Sequence, residues 1–90
     1  MPAVLIRHRQ QDFETWKAAF DDHESFRQAH GARSARVFRN ADDPNETLVL
    51  LEWDDLDAAR AFSQSPELRE KMQEAGVAGP PEVVFLDDAA

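Results

Sequence analysis

Apolar residues recur along this chain with two periods, and their succession spells out a fold. From Ala3 to His8, Val4 and Ile6 alternate with Leu5 and Arg7, which reads as a strand. Asp12 is a good helix N-cap, with Glu14 adding an acid to the first turn. Phe13, Trp16, Ala19, Phe20 and Phe26 then follow at helical spacing, and Gly31 after His30 is a stop signal. The expected first helix runs from about residue 12 to 30. Ser34 to Asn40 is a second strand carrying Val37 and Phe38; its Arg36 and Arg39 suit a sheet edge, where charge discourages further pairing. Residues 41–46 form a polar turn, and Thr47 to Trp53 is a strand apolar on both sides. Asp55 or Asp57 can cap a second helix through Ala58, Ala59, Ala61 and Phe62. Ser65-Pro66 interrupts that helix and restarts it, Leu68 and Met72 face inward, and Gly76 ends it. Gly79-Pro80-Pro81 forces an extended approach to a last strand, Glu82 to Leu86.

The order β-α-β-β-α-β is the split βαβ arrangement of ferredoxin-like α+β folds, expected as one domain over residues 1–90. Right-handed crossovers put strands one and three in the middle and both helices on one face. The Thr47–Trp53 strand then poses a question. Leu48 and Leu50 point one way, Val49, Leu51 and Trp53 the other, so both faces need cover, and the helices cover only one. A second copy of the chain is the simplest cover, which predicts a homodimer.

Bulk properties narrow the partners. A chain of 90 residues buries roughly 60–65% of its unfolded surface, so association would also add stability that the core supplies only marginally. There is no cysteine, which rules out disulfide stapling and suits a reducing cytoplasm. No run approaches the ~20 apolar residues of a membrane span, and the N-terminal apolar run is too short for a signal peptide. The net charge of -8 argues against nucleic acid and anionic membrane surfaces as partners. The aspartate pairs at 42–43, 54–55 and 87–88 fall at turns or ends and lack the alternating oxygen ligands of a calcium loop.

Candidate chemistry concentrates on the first helix. At 100° per residue, Trp16, Phe20 and His23 lie within about 60° of one another, so His23 sits inside the apolar stripe and Arg27 flanks it. His23 is either a core histidine satisfied by a carbonyl or water, or a pocket residue able to move a proton. His8, at the end of the first strand, is a second candidate. Trp16, Phe20, Phe38 and Trp53 are either ordinary packing or the walls of a pocket for a flat apolar ligand, with Arg27 beside them. Three histidines without tight spacing make no metal motif, and His30 is explained by its place at a helix C-terminus. No glycine-rich phosphate loop, no Gly-x-Ser-x-Gly elbow and no tyrosine is present; neither metal nor cofactor is expected.

Glu52-Trp53-Asp54 closing the third strand, Ala59 through Phe62 in the next helix, and Ser65-Pro66-Glu67-Leu68 resemble the dimeric α+β barrel superfamily. Within it the likeness is to antibiotic-biosynthesis-monooxygenase-like domains and small bacterial cyclase-like proteins ending as Gly79-Pro80-Pro81-Glu82-Val83 does. The resemblance implies two sheets packed face to face across a two-fold axis and a ligand cavity between the sheet and the first helix. It implies activities ranging from cofactor-free oxygenation of polyketide quinols through haem degradation and lactone isomerisation to ligand sensing. Trp53 matches the family tryptophan ending strand three. The oxygenases' nearby strand asparagine has no counterpart, since Val49 and Leu51 are apolar. Where haem-degrading members carry a histidine, Phe62 or Ser63 stands here. The expectation is a small homodimer binding an apolar or aromatic molecule, either a cofactor-independent monooxygenase or cyclase with His23 as proton shuttle, or a non-catalytic ligand-binding or structural dimer.

Overall fold

A computed structural model describes residues 1–89. Its elements are β1 (Ala3–Gln10), α1 (Phe13–Asp22), α2 (Glu24–Ala29), β2 (Ala32–Asn40), β3 (Asp43–Trp53), α3 (Leu56–Ser63), α4 (Pro66–Glu74) and β4 (Val77–Leu86). The four strands form one antiparallel sheet in the order β2-β3-β1-β4, the ferredoxin-like topology read from the sequence.

The caps form as local chemistry dictates. Asp12 accepts the Thr15 amide at 3.0 Å, and that bond together with the Thr15 hydroxyl holds its carboxyl below the ordinary carboxylate range. Asp55, rather than Asp57, caps α3, and Ser65 caps α4 with Pro66 in its first turn. Gly31 turns back with a φ of 112°, and a Cβ there would lie 3.5 Å from the Trp53 ring, so the loop is seated on that indole.

The strands run longer than the sequence pattern suggests. Asp43 to Glu46 belong to β3, leaving a two-residue turn, because Arg9 pairs with Asp43 and Glu46 across the sheet. Val77 to Pro81 belong to β4, an edge strand that tolerates proline. Between the Arg7–Glu82 and Arg9–Ala78 pairs, His8 alone stands opposite Gly79, Pro80 and Pro81, a bulge in the ladder.

The first helix is broken at His23, a departure from the continuous helix expected over 12–30. Arg27 Nη1 donates to the Phe20 carbonyl at 2.7 Å, and the His23 amide closes a tight turn on the same oxygen at 3.2 Å. A side chain inserted at a helical carbonyl is a recognised cause of a kink. The core lies between helices and sheet: Val4, Ile6, Trp16, Val49, Leu51, Trp53, Ala59 and Phe62 are all buried. On the other face Leu48 and Leu50 are only half-buried, while Phe38 and Val84 are 43% and 41% exposed.

Candidate functional site

The helix-covered face of the sheet carries polar residues at one end. His8, Gln10 and Thr47 are all buried there, brought together because His8 pairs with Thr47 across β1 and β3. The Thr47 hydroxyl donates to Gln10 Oε1 at 2.9 Å, and Gln10 Nε2 donates to the Pro44 carbonyl at 3.4 Å, so those two are satisfied. His8 is not: its Nδ1 is buried without a hydrogen-bond partner. Leaving such a group unmatched costs about 1–3 kcal/mol, which a fold optimised only for packing would avoid.

His8 forms the floor of a cavity under the broken helix, with about 60 Å³ open to the centre of a water molecule. Ile6, Val49 and Leu51 continue the floor; Trp16, Phe20, His23 and Arg27 make the roof; Phe62, Leu68 and Met72 close the far side. That space holds several waters or one ring of a larger planar molecule, whose remainder would lie in the open mouth of the cavity. The roof is an ordered row of flat groups. The His8 imidazole lies 4.9 Å from the Trp16 ring, Trp16 stacks on Phe20 at 5.0 Å, and the Arg27 guanidinium sits 3.6 Å above the Phe20 ring.

The electrostatics follow from burial. Desolvation pushes His8 below its ordinary value of 6.5, against a smaller opposing effect of the nearby Arg9 backbone. The imidazole is therefore neutral at pH 7 and able to accept a proton. Arg27 is 8% exposed and its guanidinium is pushed down by burial, opposed by Glu24 and Asp21. Among the described residues no carboxylate lies within ion-pair distance of it.

His8, Trp16, Phe20, His23 and Arg27 thus line one cavity. The kink turns His23 from a mid-helix residue into the junction between α1 and α2, half-buried on the cavity. Phe38 is not part of the site, which corrects the expectation for it. Its partner in the β2–β3 register is Leu48, so it lies on the opposite face of the sheet, with Arg36 over its ring at 4.8 Å. Trp53 is fully buried and borders a second, smaller void shared with Ile6, Leu51, Phe62, Leu68 and Met72. Its ring packs 5.1 Å from Phe62, and its Nε1 is a buried donor without a partner. Residues that the pattern did not single out as site residues also border the main cavity, Phe26, Phe62, Lys71 and Met72 among them. Their helical spacing gives no signal beyond ordinary core packing.

The profile of the antibiotic biosynthesis monooxygenase family matches residues 3–74. The chain belongs to this family. Solved structures agree on the fold at low identity. A Bordetella bronchiseptica protein carrying the same family description superposes with a TM-score of 0.81 at 17% identity, covering 99% of this chain and 97% of that one. A cofactor-independent oxygenase from Streptomyces nogalater superposes with a TM-score of 0.75 at 16% identity, over 99% of this chain and 93% of its own. A Caulobacter crescentus member gives 0.76 at 17%, over 99% and 90%. No curated protein matches the sequence closely enough to count as a relative. In this family member the helices cover one face of the sheet, and no helix among the described residues is long and apolar enough to cross a membrane.

Proposed function

We propose that this chain is a homodimeric, cofactor-independent monooxygenase or cyclase of the cytoplasm, taking a small polyketide-like or aromatic substrate in the cavity beneath α1. The observation that carries this reading is His8: a neutral imidazole with an unpartnered ring nitrogen, fixed on a rigid strand, in a cavity walled mainly by apolar side chains, with His23, Arg27 and Lys71 the other polar groups on its lining. The family membership and the likeness to a cofactor-independent oxygenase support it.

The chemistry needs little more than such a base. An activated ring methylene flanked by two aromatic carbons, in a ring that carries a carbonyl opposite it, loses a proton to His8, and the resulting enolate is electron-rich enough to reduce dioxygen. Radical recombination forms a carbon–oxygen bond. The hydroperoxide then loses water, its second C–H proton leaving as the O–O bond breaks. Methylene plus dioxygen gives carbonyl plus water, so the substrate supplies all the electrons. The apolar walls keep bulk water from protonating the enolate, and a positioned base contributes ~10²–10⁴-fold. His23, which lines the same cavity, would relay the proton outward. The dimer is supported by the uncovered face, where Leu5, Leu48, Leu50 and Val84 share one side of the sheet. Two such faces stacked would bury each other.

Oxygen uptake with anthrone, which this reaction would convert to anthraquinone, tests the reading. The expected result is one dioxygen per anthrone at a rate well above buffer, reduced about 100-fold or more in His8→Gln while the protein stays folded. A rate equal to buffer, or a His8→Gln variant with full rate, would sink it. One observation favours a second reading, a non-catalytic ligand-binding or structural dimer. Val49 and Leu51 are buried and apolar where the oxygenases this chain resembles carry an asparagine. Ligand binding without turnover would select that reading.

A further inference from the structure

On the outer side of the broken helix a cleft runs between α1–α2 and β2, with about 390 Å³ open to water centres. Arg27, Phe20 and Leu51 border both this cleft and the His8 cavity, so they form the partition between solvent and the interior. The partition is a buried cation. One Arg27 N–H is used, on the Phe20 carbonyl at 2.7 Å, and the ring beneath it takes one face of the guanidinium. A guanidinium has five N–H donors in a planar fork that matches a carboxylate. The acids nearest along the chain do not serve as that match: Asp21 is exposed and held by Lys17 at 2.7 Å, and Glu24 is exposed.

We propose that Arg27 recognises an acidic group, a carboxylate or a ring-borne oxyanion, on the ligand of this cavity, and that the ligand reaches it from the α1–β2 cleft. The inference rests on the reading of the cavity as a ligand site and adds the charge of the ligand. The charge lining the cleft agrees with it. Of the cations lining the cleft, Lys17 is paired with Asp21 at 2.7 Å and Arg33 with Asp54 at 2.6 Å, which leaves Arg27 as the one without a carboxylate among the described residues. A ligand with its acid on Arg27 and its ring along the Trp16–Phe20 row would present its far edge to His8. Arg27 would then be a positioning and specificity residue, while also capping the end of α1.

The test compares two probes of one shape, 1-naphthoate and 1-naphthamide, by calorimetric titration of the full chain, with the Trp16 indole N–H followed by NMR to locate binding. The wild-type protein is expected to bind the acid about tenfold or more tighter than the amide, with the Trp16 signal shifting. In Arg27→Gln that preference should vanish through loss of acid affinity alone, and in Arg27→Lys it should survive in part. Equal binding of acid and amide by the wild type, which needs no variant, overturns the proposal while leaving the cavity a ligand site. A preference that persists in folded Arg27→Gln overturns it too, placing charge recognition elsewhere. Binding of neither probe overturns both the proposal and the ligand-site reading on which it rests.

Discussion

On the open face of the sheet the charges at the β1–β3 end are paired with one another, whereas on the helix-covered face the polar groups that matter are not. Arg7 meets Glu46 at 2.9 Å, Arg9 meets Asp43, and Asn40 donates to Glu46 at 3.2 Å. Behind the same strands, His8 Nδ1 and Trp53 Nε1 are buried alone, and Arg27 touches a carbonyl and a ring but no carboxylate. A surface whose polar groups are mutually satisfied, with leucines between them, can meet another surface without leaving charges stranded. A cavity with unspent hydrogen-bonding capacity is suited to something that arrives later. The difference separates association from chemistry within one sheet only a few ångströms thick.

The comparison can be broken first at the open face. Leu50→Asp would place a carboxylate at the centre of the proposed face-to-face stack. The expected result is dimer association weakened by more than about 100-fold, near 3 kcal/mol, read by sedimentation or native mass spectrometry. A Leu50→Asp protein that still dimerises like wild type would move the interface elsewhere. On the covered face, His8→Leu removes the orphaned imidazole. At pH 7.5 the urea midpoint should shift by less than about 1.5 kcal/mol in equivalent stability, because one buried group of similar bulk replaces another. The larger change is in pH dependence. The unfolded chain protonates His8 near its ordinary 6.5, while the folded chain resists. Stability therefore rises with pH in that window, and wild type loses stability as pH falls below about 6.5. His8→Leu should flatten that part of the slope; an unchanged slope between pH 7.5 and 5.5 would mean that His8 is protonated as easily folded as unfolded. Glu46→Gln should have the smallest effect, because the Arg7 that pairs with it is half exposed. Arg7 first, then Asn40, holds Glu46 below its ordinary 4.5. Its contribution is present above that value and lost on acidification through the lower folded value, so wild type and variant should converge at low pH.

Much of the architecture was legible because it rests on period and caps. The Val49–Leu51–Trp53 alternation, the Asp12 and Ser65 caps and the glycine stops are local signals, and they gave strand order and helix placement. What escaped rests on long-range pairing. Phe38 and Val37 are equally apolar neighbours, and only the pairing of Val37 with Val49 decides that Val37 faces the helices and Phe38 does not. The kink at His23 has no composition signal, since it is made by Arg27, whose spacing reads as the flank of a continuous helix. The lengths of β3 and β4 escaped for a similar reason: cross-strand pairing of Asp43 with Asn40, Glu46 with Arg9, and Val77 and Ala78 with Gln10 and Arg9 carries both strands past residues of turn propensity.

The edges of the sheet carry a consequence for how large an assembly can become. A sheet grows by adding strands at its sides or by stacking on its face. At one side β4 shows Pro80 and Pro81, which have no amide hydrogen to offer an incoming strand. At the other, β2 carries Arg33, Arg36 and Arg39 within seven residues, a row of like charges that any strand of the same kind would meet again on approach. Lateral growth is thus discouraged at both ends, while the face remains open. In the proposed dimer, stacking two faces would consume both of them, so the polymerisation that threatens many exposed sheets would end after a single step.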